Sequence, residues 1–439
     1  MTDDAVCYAK SSKGGALAWT TLAFFAGFAG VSAFGPIVGK LKKTMAMDPI
    51  LIGLLAASPA LTGSLLRIPF GAMVDRIGGK KPILILLSLA AAGIAGLTLM
   101  FAAFAPPQAS QYPLFLLCGV LCGCGIATFS VGIPTVSYWY PQKKQGTALA
   151  LYAGLGNMAP GLFALVLPLM VVNLGFTGSY VMWFALLGVL TIIVLLFMKD
   201  APYFQYKEMG IEIDKEALAI VCGEELFPSG TAVASLKKAA ADGRTWMLTA
   251  LYFVSFGGFI ALTVWLPTFW AERFQTGLVL AGSLAALYSL STSLLRVCGG
   301  FVSDRIGGEK TVFVSFLVMA LASTLMIVVS ESMSLAVTAG LLLALGMGFA
   351  NAAVFKLVPK YTPQTVGGSA GIVGGLGAFG GFVIPPVMGL FVTWFGSRGY
   401  SLGFSVFLGL ALFSLGLIAL MNRQASGAAS LAVADSKQN

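Results

Sequence analysis

From Ala16 to Met421 the chain is a succession of apolar runs near 20 residues or longer, broken by short clusters of charge, proline and glycine. A helix of about 20 residues is what a hydrocarbon core of roughly 30 Å demands. A transmembrane β-barrel would instead show alternating segments of about 10 residues. Only 10% of the residues are charged and 58% are apolar, against about 25% charged in an ordinary soluble domain. So much apolar surface cannot be hidden in an aqueous core. The expected fold class is an all-α polytopic membrane protein embedded in the lipid bilayer. The first run, 16–38, is too long for a signal-peptide core and no clean cleavage site follows it, so it reads as a retained span.

Breaks at charge and at Pro/Gly clusters divide the chain into twelve spans: 16–39, 50–74, 81–104, 112–138, 147–172, 178–198, 246–268, 279–302, 311–330, 333–358, 367–394 and 400–421. An even number puts both termini on one side. With that side cytoplasmic, nineteen of the 26 lysines and arginines fall there, five fall opposite (Lys40, Lys42, Lys43, Arg273, Arg398), and Arg67 and Arg296 lie inside spans. The positive-inside rule then orients the chain with cytoplasmic termini in the inner membrane. The Lys40–Lys43 cluster breaks the pattern locally. The net charge of +9 is mostly topology and calls for no nucleic-acid partner.

The chain is internally duplicated. RIPFGAMVDRIGGK (67–80) returns as RVCGGFVSDRIGGEK (296–310), with Arg67 and Asp75 matched by Arg296 and Asp304. A second pair, Pro141-Gln142 with Gly146 and Ala148, returns as Pro363-Gln364 with Gly368 and Ala370. The expected organisation is a six-span half over 1–198, a polar cytoplasmic connection over 199–244, a second half over 245–423 and a polar, irregular tail over 424–439. Two parallel halves around a central cavity is a transporter layout.

Each half carries one arginine eight residues, about 12 Å of helix, from its aspartate, near the bilayer midplane. A guanidinium stays protonated, and placing one at a helix centre costs about 2.5–3.5 kcal/mol or more. None of the 17 acids falls inside a span away from its end. Two fixed cations without a protein counter-charge point to a transported anion. A planar guanidinium bonds two oxygens of a planar oxyanion in parallel, which suits nitrate or nitrite and would equally serve phosphate esters or dicarboxylates. With no histidine and no intramembrane carboxylate, neither a metal site nor a nucleophile–base pair can be assembled, so no enzyme and no cofactor are expected. Cys118, Cys122 and Cys124 share one apolar run and read as small packing residues.

The chain resembles a major facilitator superfamily carrier over its whole membrane region. That family's G-x-x-x-D-R-x-G-G-[KR] loop stands at Gly71–Lys80, and its weaker twin at Gly300–Glu309 has Glu309 where a basic residue is usual. More narrowly it resembles the nitrate/nitrite porter family, through the two arginines, AGLGNMAPG (153–161), YFVSFGGF (252–259) and GGLGAFGGFVIPP (374–386). The resemblance implies twelve helices in two six-helix halves. It also implies transport of nitrate or nitrite by alternating access, as nitrate/nitrite exchange or proton–nitrate symport, in a monomer. A phosphate-ester or organic-acid antiporter is the alternative. The resemblance makes Arg67 and Arg296 the substrate arginines, Asn157 the amide beside the anion, and Phe129, Tyr252 and Phe256 the aromatics that sandwich and gate it. Gly154, Gly156, Gly374, Gly375 and Gly377 would let spans five and eleven approach closely and slide, a gating role. Asp75 with Arg76 and Asp304 with Arg305 sit at cytoplasmic helix ends, where charges can pair across the halves and hold an outward-open state. The segment Phe355–Pro359 resembles the family's symport-like branch, and Lys356 within it would titrate if partly buried.

Overall fold

A computed structural model describes residues 12–211, 218, 225, 227, 232–328 and 331–436. All regular structure among them is helical. Eleven continuous stretches are long and apolar enough to cross a membrane. The fifth stretch, Lys144–Phe197, is 54 residues, or about 80 Å of helix, far more than one crossing. It folds back at Gly175, whose φ of 70° and ψ of −179° are non-helical; a residue with a Cβ resists that conformation. Counted on either side of Gly175, the expected spans five and six are both present, and the twelve-span reading holds. The last helix runs Ser405–Ser436, so the tail expected to be irregular beyond Arg423 is helical to Ser436. Cys118, Cys122 and Cys124 are buried and unbridged, whereas Cys7 and Cys222 lie outside the described residues.

Several spans are interrupted near their middles, and the sequence explains where. Proline lacks an N–H and clashes with the carbonyl four residues back. In span two, Pro69 ends one helical segment at Leu65 and starts the next at Arg67. In span five, Pro160 separates the segment ending at Asn157 from the one starting at Ala159. Span four narrows to a 3₁₀ turn over Cys124–Ala127 just before Phe129. Span seven widens into a π segment over Phe253–Gly257, and span eleven breaks at Phe379 inside its glycine run. Span eight, Leu278–Ile306, is unbroken, because the duplicate of Pro69 is Cys298.

Spans two and eleven meet closely at the end of the bundle opposite Asp75. A Cβ on Gly53 would stand 2.7 Å from the Pro385 carbonyl oxygen, and one on Gly389 would stand 2.7 Å from that of Pro49. Spans one and seven do the same where Gly35 faces Val264. Spans five and eight meet where Gly282 faces Ala164. At this end Lys42 also reaches across to Glu272 at 3.0 Å and to the Tyr400 hydroxyl at 3.1 Å, with both charged side chains about four-fifths covered. The basic cluster that broke the charge pattern thus contains a cross-half ion pair. Contacts between the first and last six spans thin out toward the Asp75 end.

The glycine pair of the first signature loop receives the chain beyond span six. Backbone N–H groups of Gly79 and Lys80 donate to the Asp200 carboxylate at 2.6 and 2.9 Å. Burial pushes the Asp200 carboxyl up while those two N–H bonds oppose the shift. Lys81 pairs with Glu208 at 2.8 Å, and its hydrogen bond holds that carboxyl below its ordinary range.

Candidate anion-binding site

The residues at the span interruptions converge. Phe129 and Phe256, one from each half, lie nearly parallel, with ring centroids 6.1 Å apart and planes at 24°. The Arg67 guanidinium stands 4.9 Å from the Phe129 centroid and 5.1 Å from that of Phe256. The Arg296 guanidinium stands 5.9 and 5.5 Å from the same two rings. Both arginines therefore address one aromatic pair, and 229 residues of sequence separation close into a single site. Tyr252 stacks on Phe256 at 4.9 Å and its hydroxyl accepts from Arg296 Nη1 at 3.4 Å.

Arg67 is fully buried. Its Nε donates to the Gly63 carbonyl and its Nη1 to the Gly374 carbonyl of span eleven, both at 3.0 Å, while Nη2 has no partner. Carbonyl capping is thus part of how Arg67 is held. Carbonyls and π-faces contribute dipoles and quadrupoles, each cation–π contact being worth roughly 0.5–2 kcal/mol, but they carry no net charge. Among the described residues neither arginine takes part in an ion pair. The two positive charges expected from sequence remain unanswered by protein.

Asn157 is 1% exposed and neither Nδ2 nor Oδ1 has a partner. Its carbonyl accepts from Ser293 of span eight at 2.9 Å. Arg67 Nη2 and Asn157 Nδ2 are thus both buried donors without a protein partner, a costly arrangement in a dry interior and the type of donor that an oxyanion accepts from. Among the described residues no His, Cys, Asp and Glu side chains group so as to hold a metal ion.

The glycines pack against other spans more than against each other. A Cβ at Gly156 would lie 1.9 Å from the Phe24 ring, and one at Gly377 would lie 2.7 Å from Tyr252. Gly154 faces Val297, Gly375 faces Ile68, and Gly374 supplies the carbonyl to Arg67. The charged helix ends are not in the site. Asp75 accepts from Tyr138 at 2.7 Å within the first half, and Lys207 donates to the Arg76 carbonyl. Asp304 pairs with Lys356 at 2.6 Å within the second. The cross-half pairing expected of Asp75, Arg76, Asp304 and Arg305 is not made in this state. Lys356 also donates to the Ser303 carbonyl at 2.7 Å and is 41% exposed. It anchors a helix end, about 12 Å along span eight from Arg296, and is not grouped with the arginines.

Sequence reasoning missed three supports. Phe24 and Phe28 of span one back the aromatic pair, Phe24 at 5.2 Å from Phe129 and Phe28 stacked on Phe256 at 6.3 Å. Tyr152 donates to the Thr128 and Phe129 carbonyls at 3.0 and 2.9 Å. The third is Ser293. No local signal distinguishes two rings among 32 phenylalanines, but Ser293 had one: the duplication begins three residues earlier than Arg67, as Ser64-Leu65-Leu66-Arg67 and Ser293-Leu294-Leu295-Arg296.

Residues 20–285 and 248–436 match the model of the Major Facilitator Superfamily. The chain is 30% identical over 413 residues to a probable nitrate transporter of Staphylococcus carnosus, covering 94% of this chain and 96% of that protein. It is 29% identical to a probable nitrate/nitrite antiporter of Thermus thermophilus, covering 86% and 85%, and 27% identical to the nitrite extrusion protein of Bacillus subtilis, covering 92% and 93%. Among solved structures it is similar to a bacterial homologue of the human lysosomal transporter Spinster, with a TM-score of 0.68 at 15% identity over 94% of this chain and 98% of that one. The human organic anion transporter TETRAN gives a TM-score of 0.64 at 17% identity over 93% and 100%. Both structures support the fold. The chain is a transporter that belongs to the Major Facilitator Superfamily and, within it, to the nitrate/nitrite porter family.

Proposed function

We propose that this carrier moves nitrate and nitrite across the inner membrane by alternating access, with the anion held between Arg67 and Arg296. The observation that carries the proposal is two guanidinium groups against one aromatic pair without a carboxylate partner. The names of the bacterial relatives, a nitrate transporter, a nitrate/nitrite antiporter and a nitrite extrusion protein, agree with that chemistry. Rings 6.1 Å apart suit a small planar anion better than a phosphate ester or an organic acid. Phe129 and Phe256 cover the faces of the anion, Tyr252 steadies Arg296, and Asn157 supplies an amide donor.

The halves, 1–198 and 245–423, rock about this site, joined by 199–244. The end rich in lysine and arginine faces the cytoplasm with both termini, so the state sealed by spans two and eleven and by Lys42–Glu272 is inward-facing. In the opposite state Asp75, Arg76, Asp304 and Arg305 take over the closure. Coupling is by exchange: a bound monoanion lowers the site from two net positive charges to one and permits the halves to close in either direction. Proton symport would place a titratable group on the path, and Lys356 is held at a helix end by Asp304. A single chain holds the whole site, so a monomer suffices.

Counterflow in proteoliposomes at clamped pH tests this reading. Labelled nitrate should enter only vesicles preloaded with nitrite or nitrate. Uptake into empty vesicles that tracks an imposed proton gradient would replace exchange by symport.

A further inference from the structure

The repeated tetrapeptide Ser-Leu-Leu-Arg places a serine one helical turn before each substrate arginine, on the same face. The two serines behave differently. Ser64 is buried and turns back into its own helix, donating to the Ala60 carbonyl at 2.6 Å. Ser293 is buried and shares its proton between the Ser289 carbonyl of its own helix and the Asn157 carbonyl of the other half, both at 2.9 Å. One hydroxyl therefore joins the helix of Arg296 to the residue that carries the site's amide.

Asn157 is the last residue of its helical segment, next to the break that Pro160 imposes. Both polar atoms of its side chain are buried without partners, so the side chain is not oriented by hydrogen bonds of its own. The tie on this residue that reaches the opposite half runs through its carbonyl to Ser293. Ser293 stands one turn before Arg296 on span eight, so this bond sets the Asn157 backbone beside the helix that carries Arg296, while Gly156 before it packs on Phe24 and Phe24 on Phe129.

Nitrate and nitrite differ by one oxygen. Two guanidinium groups serve two oxygens of either anion through their planar forks. The third oxygen, present only in nitrate, needs a further donor, and the Asn157 amide is a buried one without a protein partner. We propose that Ser293 is a positioning residue that fixes Asn157 for the third oxygen of nitrate and so sets the preference for nitrate over nitrite. The inference rests on the proposed substrate reading and deepens it.

The test is KM for nitrate and for nitrite in proteoliposomes, for the wild type, Ser293→Ala, Asn157→Ala and the double variant. Ser293→Ala should raise KM for nitrate about fivefold, the effect of one neutral hydrogen bond, with nitrite KM nearly unchanged. Asn157→Ala should show the same selective loss, and the double variant should be no worse than Asn157→Ala, because Ser293 acts through Asn157. Ser293→Cys, nearly isosteric with a weaker donor, should fall between wild type and Ser293→Ala and carries the comparison if the alanine variant does not fold. Equal rises for both anions in the serine variants, or additive losses in the double variant, would overturn the inference while leaving the substrate reading intact. A wild type that transports neither anion would sink the substrate reading and this inference together.

Discussion

Replacing Arg67 with lysine isolates what the guanidinium fork does beyond its charge. Arg67 spends Nε on the Gly63 carbonyl and Nη1 on the Gly374 carbonyl, each at 3.0 Å, and keeps Nη2 free of protein partners. It also lies within 4.9 and 5.1 Å of two ring centroids. Lysine preserves one positive charge and part of the cation–π attraction, but a single ammonium cannot bond span two, span eleven and an anion in these directions at once. The loss amounts to one charge-assisted hydrogen bond, about 2 kcal/mol, or roughly thirtyfold in KM. Nitrate uptake into proteoliposomes, normalised to folded protein recovered in detergent, measures it. An unchanged KM in Arg67→Lys would refute planar recognition and leave the site as a point-charge trap that any small anion could use.

Two further perturbations follow from packing and from the far-end closure. Gly156→Ala would set a Cβ 1.9 Å from the Phe24 ring; displacing Phe24 disturbs Phe129, so uptake should fall by about an order of magnitude while thermal stability drops by about 1–3 kcal/mol, and full activity in a stable variant would argue against aromatic alignment. Reversing either charge of the Lys42–Glu272 pair should loosen the closed end, read as faster thiol labelling of a cysteine placed at Val264, and the double reversal Lys42→Glu with Glu272→Lys should restore slow labelling; identical labelling in all variants would show the pair to be ornamental to the gate.

Much of this was legible in the sequence because lipid makes a strong grammar. Apolar length located the spans, and the one fold-back hidden inside a 54-residue helical stretch fell where Gly175 allowed it. Arg67 and Arg296 were visible because a charge in an apolar run has no structural explanation of its own, and its duplication removed chance. Phe129, Tyr252 and Phe256 were reached only through resemblance, since aromatic packing gives no local signal that separates a site ring from a lipid-facing one. The Gly374 carbonyl was invisible, as backbone acceptors are carried by every residue. The Lys40–Lys43 cluster looked anomalous until Lys42 was placed opposite Glu272, because topology rules count charges and ignore pairs. The helix-end charges at Asp75 and Asp304 bond within their own halves, to Tyr138 and Lys356, partners that no spacing in the sequence marks. Ser293 is legible in the sequence, because the duplication extends upstream of each arginine as Ser-Leu-Leu-Arg.

In the proposed mechanism the anion itself answers the charge of Arg67 and Arg296. Calorimetric titration of nitrate into the purified protein, in two buffers of different ionisation enthalpy, tests it most directly. One nitrate should bind per chain, with no proton taken up, and binding should be abolished in the Arg67→Ala and Arg296→Ala variants. Nitrate binding that carries a stoichiometric proton, or that survives removal of both arginines, would contradict it.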